Sequence, residues 1–406
     1  MNNTLKNCLG SLVIVLILAS CSDRSGRVTP EKLGLSSDSL TAAKERLQQY
    51  IDEAKLSGIS ALVLKDGEVA YRSLHGYADL EGKVEMQEDQ IFRIFSMSKP
   101  VTTAALMILY EEGKFLLDDP VANYLPEYEE TEVYLTDTDP PVFIPQNEPI
   151  TIRHLLTHTA GFTYGWDPYS YVDSLYQAME PNLWELNSLE EFSKRMTGLP
   201  LKYQPGSRWE YSISIDVAGY LVEILSGLPF DEFLKTKIFE PLGMDDTGFR
   251  VPEADQKRLA KIYVLDYDQG ELAPVPLWTE GVINPVTLFS GGGGLVSTIE
   301  DYGKFGQMLV NGGELNGVRI LDEKTVKLMM SDQLPEGVVY QEGIGYGLGG
   351  SVNLESGTYH WSGMASTAFW ADPVNNMVIL CFTQFIPNQK YPFAREFREK
   401  VMGALK

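Results

Sequence analysis

The run Phe92-Arg93-Ile94-Phe95-Ser96-Met97-Ser98-Lys99-Pro100 sets Ser96 three residues before Lys99, at the head of an apolar stretch with helical spacing from Val101 to Glu112. On a helix that spacing puts a hydroxyl and an amine on one face. Pro100 suits the first turn, where its missing N–H costs nothing. A neutral lysine there can take the serine proton, and burial with suitable neighbours can bring a lysine to that state. A serine at a helix N-terminus also sits in a positive backbone field, so its own N–H can help hold an oxyanion. Read locally, Ser96 serves equally well as a helix N-cap, and the spacing alone is weak evidence.

The surrounding chain supplies a frame for that segment. Leu40 to Lys55 has helical periodicity, and Ile59 to Leu64 followed by Val69 to Arg72 brackets an Asp66-Gly67 hairpin turn. Helical stretches follow at Ile152 to Leu156, Leu189 to Met196, Ile215 to Leu225 and Thr298 to Leu309. Short strands return at Gly347 to Val352, Ser366 to Ala371 and Met377 to Thr383, before a last helix near Phe393 to Met402. Strands at both ends around a helical middle predict an α/β (α+β) fold, with one antiparallel sheet flanked by helices and an inserted helical lobe. The sheet lobe is expected over about 35–95 and 290–406, the helical lobe over about 96–289, and a cleft between them.

At the N-terminus, Lys6 precedes an apolar run from Leu9 to Ala19 that is too short to span a bilayer. This reads as an export signal over 1–20. It ends in Leu18-Ala19-Ser20-Cys21, which resembles a bacterial lipoprotein signal and implies a lipid on Cys21, a tether over 21–34 and a hydrolase domain over 35–406. Attachment to a bacterial membrane, facing the periplasm or at the outer membrane, is expected through that lipid only. With Cys8 removed and Cys21 acylated, Cys381 stands alone in an apolar strand, so no disulfide is expected. The formal charge of -23, from 33 Lys plus Arg against 56 Asp plus Glu, argues against nucleic acid and anionic membrane surfaces as partners.

Six blocks in order then resemble the β-lactamase-related serine hydrolases, meaning class C β-lactamases, D-alanyl-peptidases and family VIII carboxylesterases. They are Phe92 to Pro100, Ile152-Arg153-His154-Leu155-Leu156-Thr157-His158-Thr159-Ala160-Gly161, and Pro205-Gly206 leading into Trp209-Glu210-Tyr211-Ser212. Pro241 to Thr247, Gly292 to Thr298 and His360-Trp361-Ser362-Gly363 complete the set. The resemblance implies a β-lactamase/transpeptidase-like fold and an acylated Ser96. It further implies Lys99 as base, Tyr211 as a second acid/base, and an oxyanion hole from the backbone N–H groups of Ser96 and Met364. It implies no cofactor and no metal.

Two departures narrow the substrate. The family's Tyr-x-Asn reads Tyr211-Ser212-Ile213, so the amide that would meet a peptide-like substrate is missing. Its Lys-Thr-Gly reads Trp361-Ser362-Gly363, which removes a carboxylate-binding cation and resembles the esterase branch. His360, Trp361, Ser362, Gly363 and Ile213 are the expected substrate-binding positions, and a small uncharged ester is the leading substrate. A D-amino-acid peptidase or β-lactamase acting on ester or amide bonds of cell-wall-like compounds stays open, as does a binding module that has lost turnover. The aromatic-rich insert from Phe162 to Trp184 either walls the pocket or packs as an ordinary loop. His154 and His158 lack the intervening glutamate of a zinc-protease helix and read as structural. Gly291 to Gly294 reads as tight-turn backbone, with no Gly-Lys-Ser/Thr to make a phosphate loop.

Overall fold

The computed structural model describes residues 28–135, 140–266 and 269–406. The export signal expected over 1–20 and Cys21, expected to carry the lipid, lie outside the described residues. Among those described, no helix is long and apolar enough to cross a membrane.

Helix α1 (Ser37–Asp52) is capped by the Ser36 hydroxyl and leads into strands β1 (Gly58–Lys65) and β2 (Glu68–Asp79). Their two-residue turn has φ 54° at Asp66 and 81° at Gly67, the left-handed pair that a twisted hairpin favours. After β3 (Val84–Glu85) the chain builds α2 (Ser98–Glu111), α3 (Ile152–Leu156), α4 (Ser214–Ser226) and α5 (Ile299–Val310). It then returns to strands β4 (Ile344–Tyr346), β5 (Ser351–Asn353), β6 (Tyr359–Ser362), β7 (Thr367–Asp372) and β8 (Met377–Phe382), and ends in α6 (Phe393–Met402). The strand expected from Gly347 begins only at Ser351, because Gly349 takes a φ of 73° and turns the chain.

One eight-stranded antiparallel sheet runs β4-β5-β6-β7-β8-β1-β2-β3. Strand β8 pairs with β1 from Ser60 opposite Phe382 to Lys65 opposite Met377, so the first and last long strands are neighbours at its centre. Leu35 bridges Leu405, and the Lys406 N–H donates to the Gly34 carbonyl at 3.0 Å, which joins the segment before α1 to the C-terminus as well.

All six residues of β8 are buried because both faces of the sheet are covered. Such a strand reads as a continuous apolar run, not an alternating one. Val378, Leu380 and Phe382 enter the large core shared with α2, α4 and α5, while Met377, Ile379 and Cys381 enter a second core with α1 and α6. The fold is therefore the β-lactamase/transpeptidase type, an antiparallel sheet between two helical layers.

All four histidines of the chain are held below the ordinary imidazole range, in each case chiefly by burial, with His75 and His360 at about 4. The unfolded chain, with imidazoles near 6.5, binds protons that the folded chain refuses. Their contribution is thus intact above about pH 6.5 and lost as pH falls toward 4, at roughly 3 kcal/mol for a fully shifted imidazole. The melting temperature should fall steeply between pH 6.5 and 4.5, and His75→Gln should flatten that fall. A flat profile in the wild type would count against these burials.

Candidate active site

Ser96 lies in a single 3-10 turn, Phe95–Met97, that runs directly into α2. Phe95 has a φ of 43°, uncommon for a bulky side chain. Its neighbours hold it there: the Ser98 hydroxyl donates to the Phe95 carbonyl at 2.7 Å, and the Tyr302 hydroxyl donates to the Met97 carbonyl at 2.7 Å. The turn leaves Ser96 part-exposed at the head of a buried helix.

One turn further on, Lys99 is fully buried, and its Nζ donates to Ser96 Oγ at 3.2 Å and to the Gly292 carbonyl at 2.6 Å. The ring faces of Tyr211 and Tyr164 lie 4.7 and 5.3 Å from that nitrogen. Tyr211, from the loop before α4, donates its hydroxyl to Ser96 Oγ at 2.7 Å. The three residues named for chemistry thus meet at one oxygen.

A fourth residue was not foreseen. Asp216, in the first turn of α4, is fully buried and accepts from the Ser290 hydroxyl at 2.6 Å and from the Gly292 N–H at 3.0 Å. It thereby fixes the segment whose carbonyl receives Lys99. Burial raises its carboxyl above the ordinary range, and the charge of Lys99 works in the opposite direction. A Cβ at Gly292 would stand 2.4 Å from Asp216 Oδ2 and 3.1 Å from the Tyr164 hydroxyl, so a larger residue here would displace the carboxylate that holds this segment. The tight-turn reading of Gly291 to Gly294 missed that this backbone touches the lysine. The available signal was an acid, Asp216, set between Ile215 and Val217 in the first turn of an apolar run.

The end of β6 lies against the turn that carries Ser96. A Cβ on Gly363 would stand 2.3 Å from the Ile94 carbonyl and 2.4 Å from Thr367 Oγ1, so only a glycine lets β6 come this close. The Gly363 N–H donates to the Thr367 carbonyl at 2.7 Å, and the Ser366 N–H to the Gly363 carbonyl at 3.0 Å. This tight turn contains Met364, whose side chain packs with Phe95 and Trp278.

The expected substrate-binding positions divide. Trp361 is on the Ser96 side, with its ring 5.6 Å from Tyr211 and 5.3 Å from Tyr346. His360 and Ser362 are on the opposite face of β6, where cross-strand partners share a side: His360 stacks on Trp370 at 4.6 Å and Ser362 pairs with Ala368. They line a cavity of about 340 Å³ with Tyr391 and Phe393, away from Ser96. Strand alternation accounts for this, and it removes His360 and Ser362 as side-chain contacts. Ile213 is fully buried in the larger core and offers a substrate no surface, the ordinary fate of an apolar side chain where a polar amide would have faced out.

Part of the aromatic insert does wall the site. Tyr164 and Trp166 stack at 4.5 Å and 10°, Tyr164 is 5.1 Å from Tyr211, and Trp166 remains 63 % exposed. Lys202 fastens this segment by ion pairs to Asp173 and Glu210, both at 2.9 Å. Tyr176, by contrast, is buried in the core, and Tyr171 packs on Tyr134. His154 completes a capping box with Thr151 at the start of α3, accepting from the Thr151 N–H at 3.3 Å. Among the described residues no group of three His, Cys, Asp or Glu is placed to hold a metal.

This chain belongs to the β-lactamase family, whose model matches residues 43–401. Its relatives include Protein Rv1367c of Mycobacterium tuberculosis, 34% identical over 84% of this chain and 89% of that protein. Esterase EstB of Burkholderia gladioli is 34% identical over a shorter region, 61% of this chain and 59% of the esterase. Among solved structures, EstCE1, described as a hydrolase with promiscuous acyltransferase activity, aligns over 90% of this chain and 98% of its own with a TM-score of 0.76 and 27% identity.

Proposed function

We propose that this protein is a carboxylesterase for small uncharged esters, working through an acyl-enzyme on Ser96. The observation that carries the reading is the shared contact of Lys99 Nζ and Tyr211 Oη with Ser96 Oγ, beside a β6 turn pressed against the same loop. Ser96 Oγ attacks the ester carbonyl, and its proton passes to the Lys99–Tyr211 pair in the state where one of the two has already lost a proton, Lys99 as the amine or Tyr211 as the phenolate. Negative charge gathers on the carbonyl oxygen, which the N–H groups of Ser96 and Met364 receive. Collapse expels the alkoxide, and Tyr211 returns the proton to it as the alcohol leaves. Water then repeats the sequence on the acyl-enzyme, releasing the acid and restoring the Ser96 hydroxyl.

Trp361 supports the choice of substrate. Its indole stands where related peptidases and β-lactamases carry an ammonium, and its N–H can donate a hydrogen bond but supplies no charge to a substrate carboxylate. Tyr164, Trp166 and Trp361 instead offer flat apolar faces around Tyr211. The test is turnover of p-nitrophenyl acetate and butyrate beside a chromogenic cephalosporin. Ester hydrolysis should exceed cephalosporin hydrolysis by at least about 100-fold in kcat/KM, a difference of roughly 2.7 kcal/mol. Faster cephalosporin cleavage would replace the esterase reading with a β-lactamase one, and inertness toward both would favour a binding module.

A further inference from the structure

We propose that His158, read from the sequence as structural, is a positioning residue that clamps the chain on both sides of Tyr211; the inference rests on the role given to Tyr211 above. His158 follows α3 with a φ of 56° and is fully buried. Its carbonyl accepts the Glu210 N–H at 2.9 Å. Its ring Nδ1 accepts the Ser212 N–H at 3.3 Å and lies 3.1 Å from Ser212 Oγ. One residue therefore holds the backbone on both sides of Tyr211, at the Trp209–Glu210 and Tyr211–Ser212 peptide groups.

The imidazole also packs 5.0 Å from the Tyr211 ring, centroid to centroid, which restricts the swing of the phenol as well as its backbone. Ser212 Oγ continues to Ser214 Oγ at 2.8 Å, so the clamp links the end of α3 to the start of α4. Because Nδ1 accepts from a backbone N–H, the ring is the neutral tautomer with its proton on Nε2. Burial, assisted by the nearby charge of Lys99, keeps it neutral far below the usual imidazole range. Nε2 is buried without a hydrogen-bond partner among the described residues. His158 acts by holding Tyr211, whose oxygen must stay 2.7 Å from Ser96 Oγ.

The experiment compares His158→Asn with His158→Gly. Both residues accept a left-handed backbone, but only asparagine keeps an acceptor, Oδ1, in the place of Nδ1. Two rates are read with a thermal melt: kcat and KM on p-nitrophenyl butyrate, and labelling of Ser96 by a fluorophosphonate. His158→Asn should stay within about fivefold of wild type in both rates, while His158→Gly loses about 100-fold in kcat and in labelling with KM within about threefold. A folded His158→Asn as slow as His158→Gly, or a His158→Gly as fast as wild type, would overturn the clamp. Should His158→Gly fail to fold, the asparagine variant decides alone, since a 100-fold loss in it has the same meaning. Wild type that labels but turns over no ester would sink the esterase reading and leave the labelling comparison intact.

Discussion

Ser96→Ala is expected to leave p-nitrophenyl ester hydrolysis close to the rate in buffer, a loss of at least about 10⁴-fold in kcat. The side chain is the meeting point of Lys99 and Tyr211, and no other hydroxyl in the site receives both. Stability should change little, because Ser96 is part-exposed and Lys99 keeps its bond to the Gly292 carbonyl. Adding Lys99→Met or Tyr211→Phe to the alanine variant should cost nothing further in rate, since groups that act as one unit do not add. Steady-state kinetics on purified single and double variants measure this, and residual turnover above about a hundredth of wild type would place the nucleophile elsewhere.

Gly363→Ala comes next in expected effect, and it touches no reacting side chain. The new methyl would lie 2.3 Å from the Ile94 carbonyl, a backbone atom that also accepts from the Met97 N–H at 3.0 Å and from Thr367 Oγ1 at 3.3 Å. Relief comes by moving β6 away from the Ser96 turn, which carries the Met364 N–H, the proposed second oxyanion donor, away from the Ser96 N–H. Loss of one oxyanion donor costs about 10²- to 10³-fold in kcat, and overpacking of this kind costs about 1–3 kcal/mol of stability. Gly248→Ala, where a methyl has nothing within 4 Å, is the control. If Gly363→Ala melts at the control's temperature and turns over at its rate, the backbone approach does not matter to catalysis.

The parts of the site carried by short-range chemistry were legible in the sequence. Ser96, Lys99 and Tyr211 sit in motifs whose spacing and flanking residues are local, and the helices followed from apolar periodicity. Side-chain direction on β6 was not legible: which of His360, Trp361 and Ser362 faces Ser96 depends on register against β7, set by contacts far along the chain. Asp216 was missed because its partners, Ser290 and Gly292, belong to a distant segment. His158 was legible as structural, but its hold on residues 210 and 212 depends on how α3 meets α4.

The pairing of β1 with β8 governs when the enzyme can exist at all. A strand made early, as the chain emerges, has its central partner supplied only when residues 377–382 arrive. Contacts between such remote segments form slowly, and strand edges left open meanwhile are sites of association. The β6 turn that carries the Met364 N–H arrives in the same late stretch, far behind Ser96. On the mechanism proposed above, a partly synthesised chain thus holds Ser96 without the Met364 N–H, and hydrolysis is expected only once the polypeptide is nearly complete.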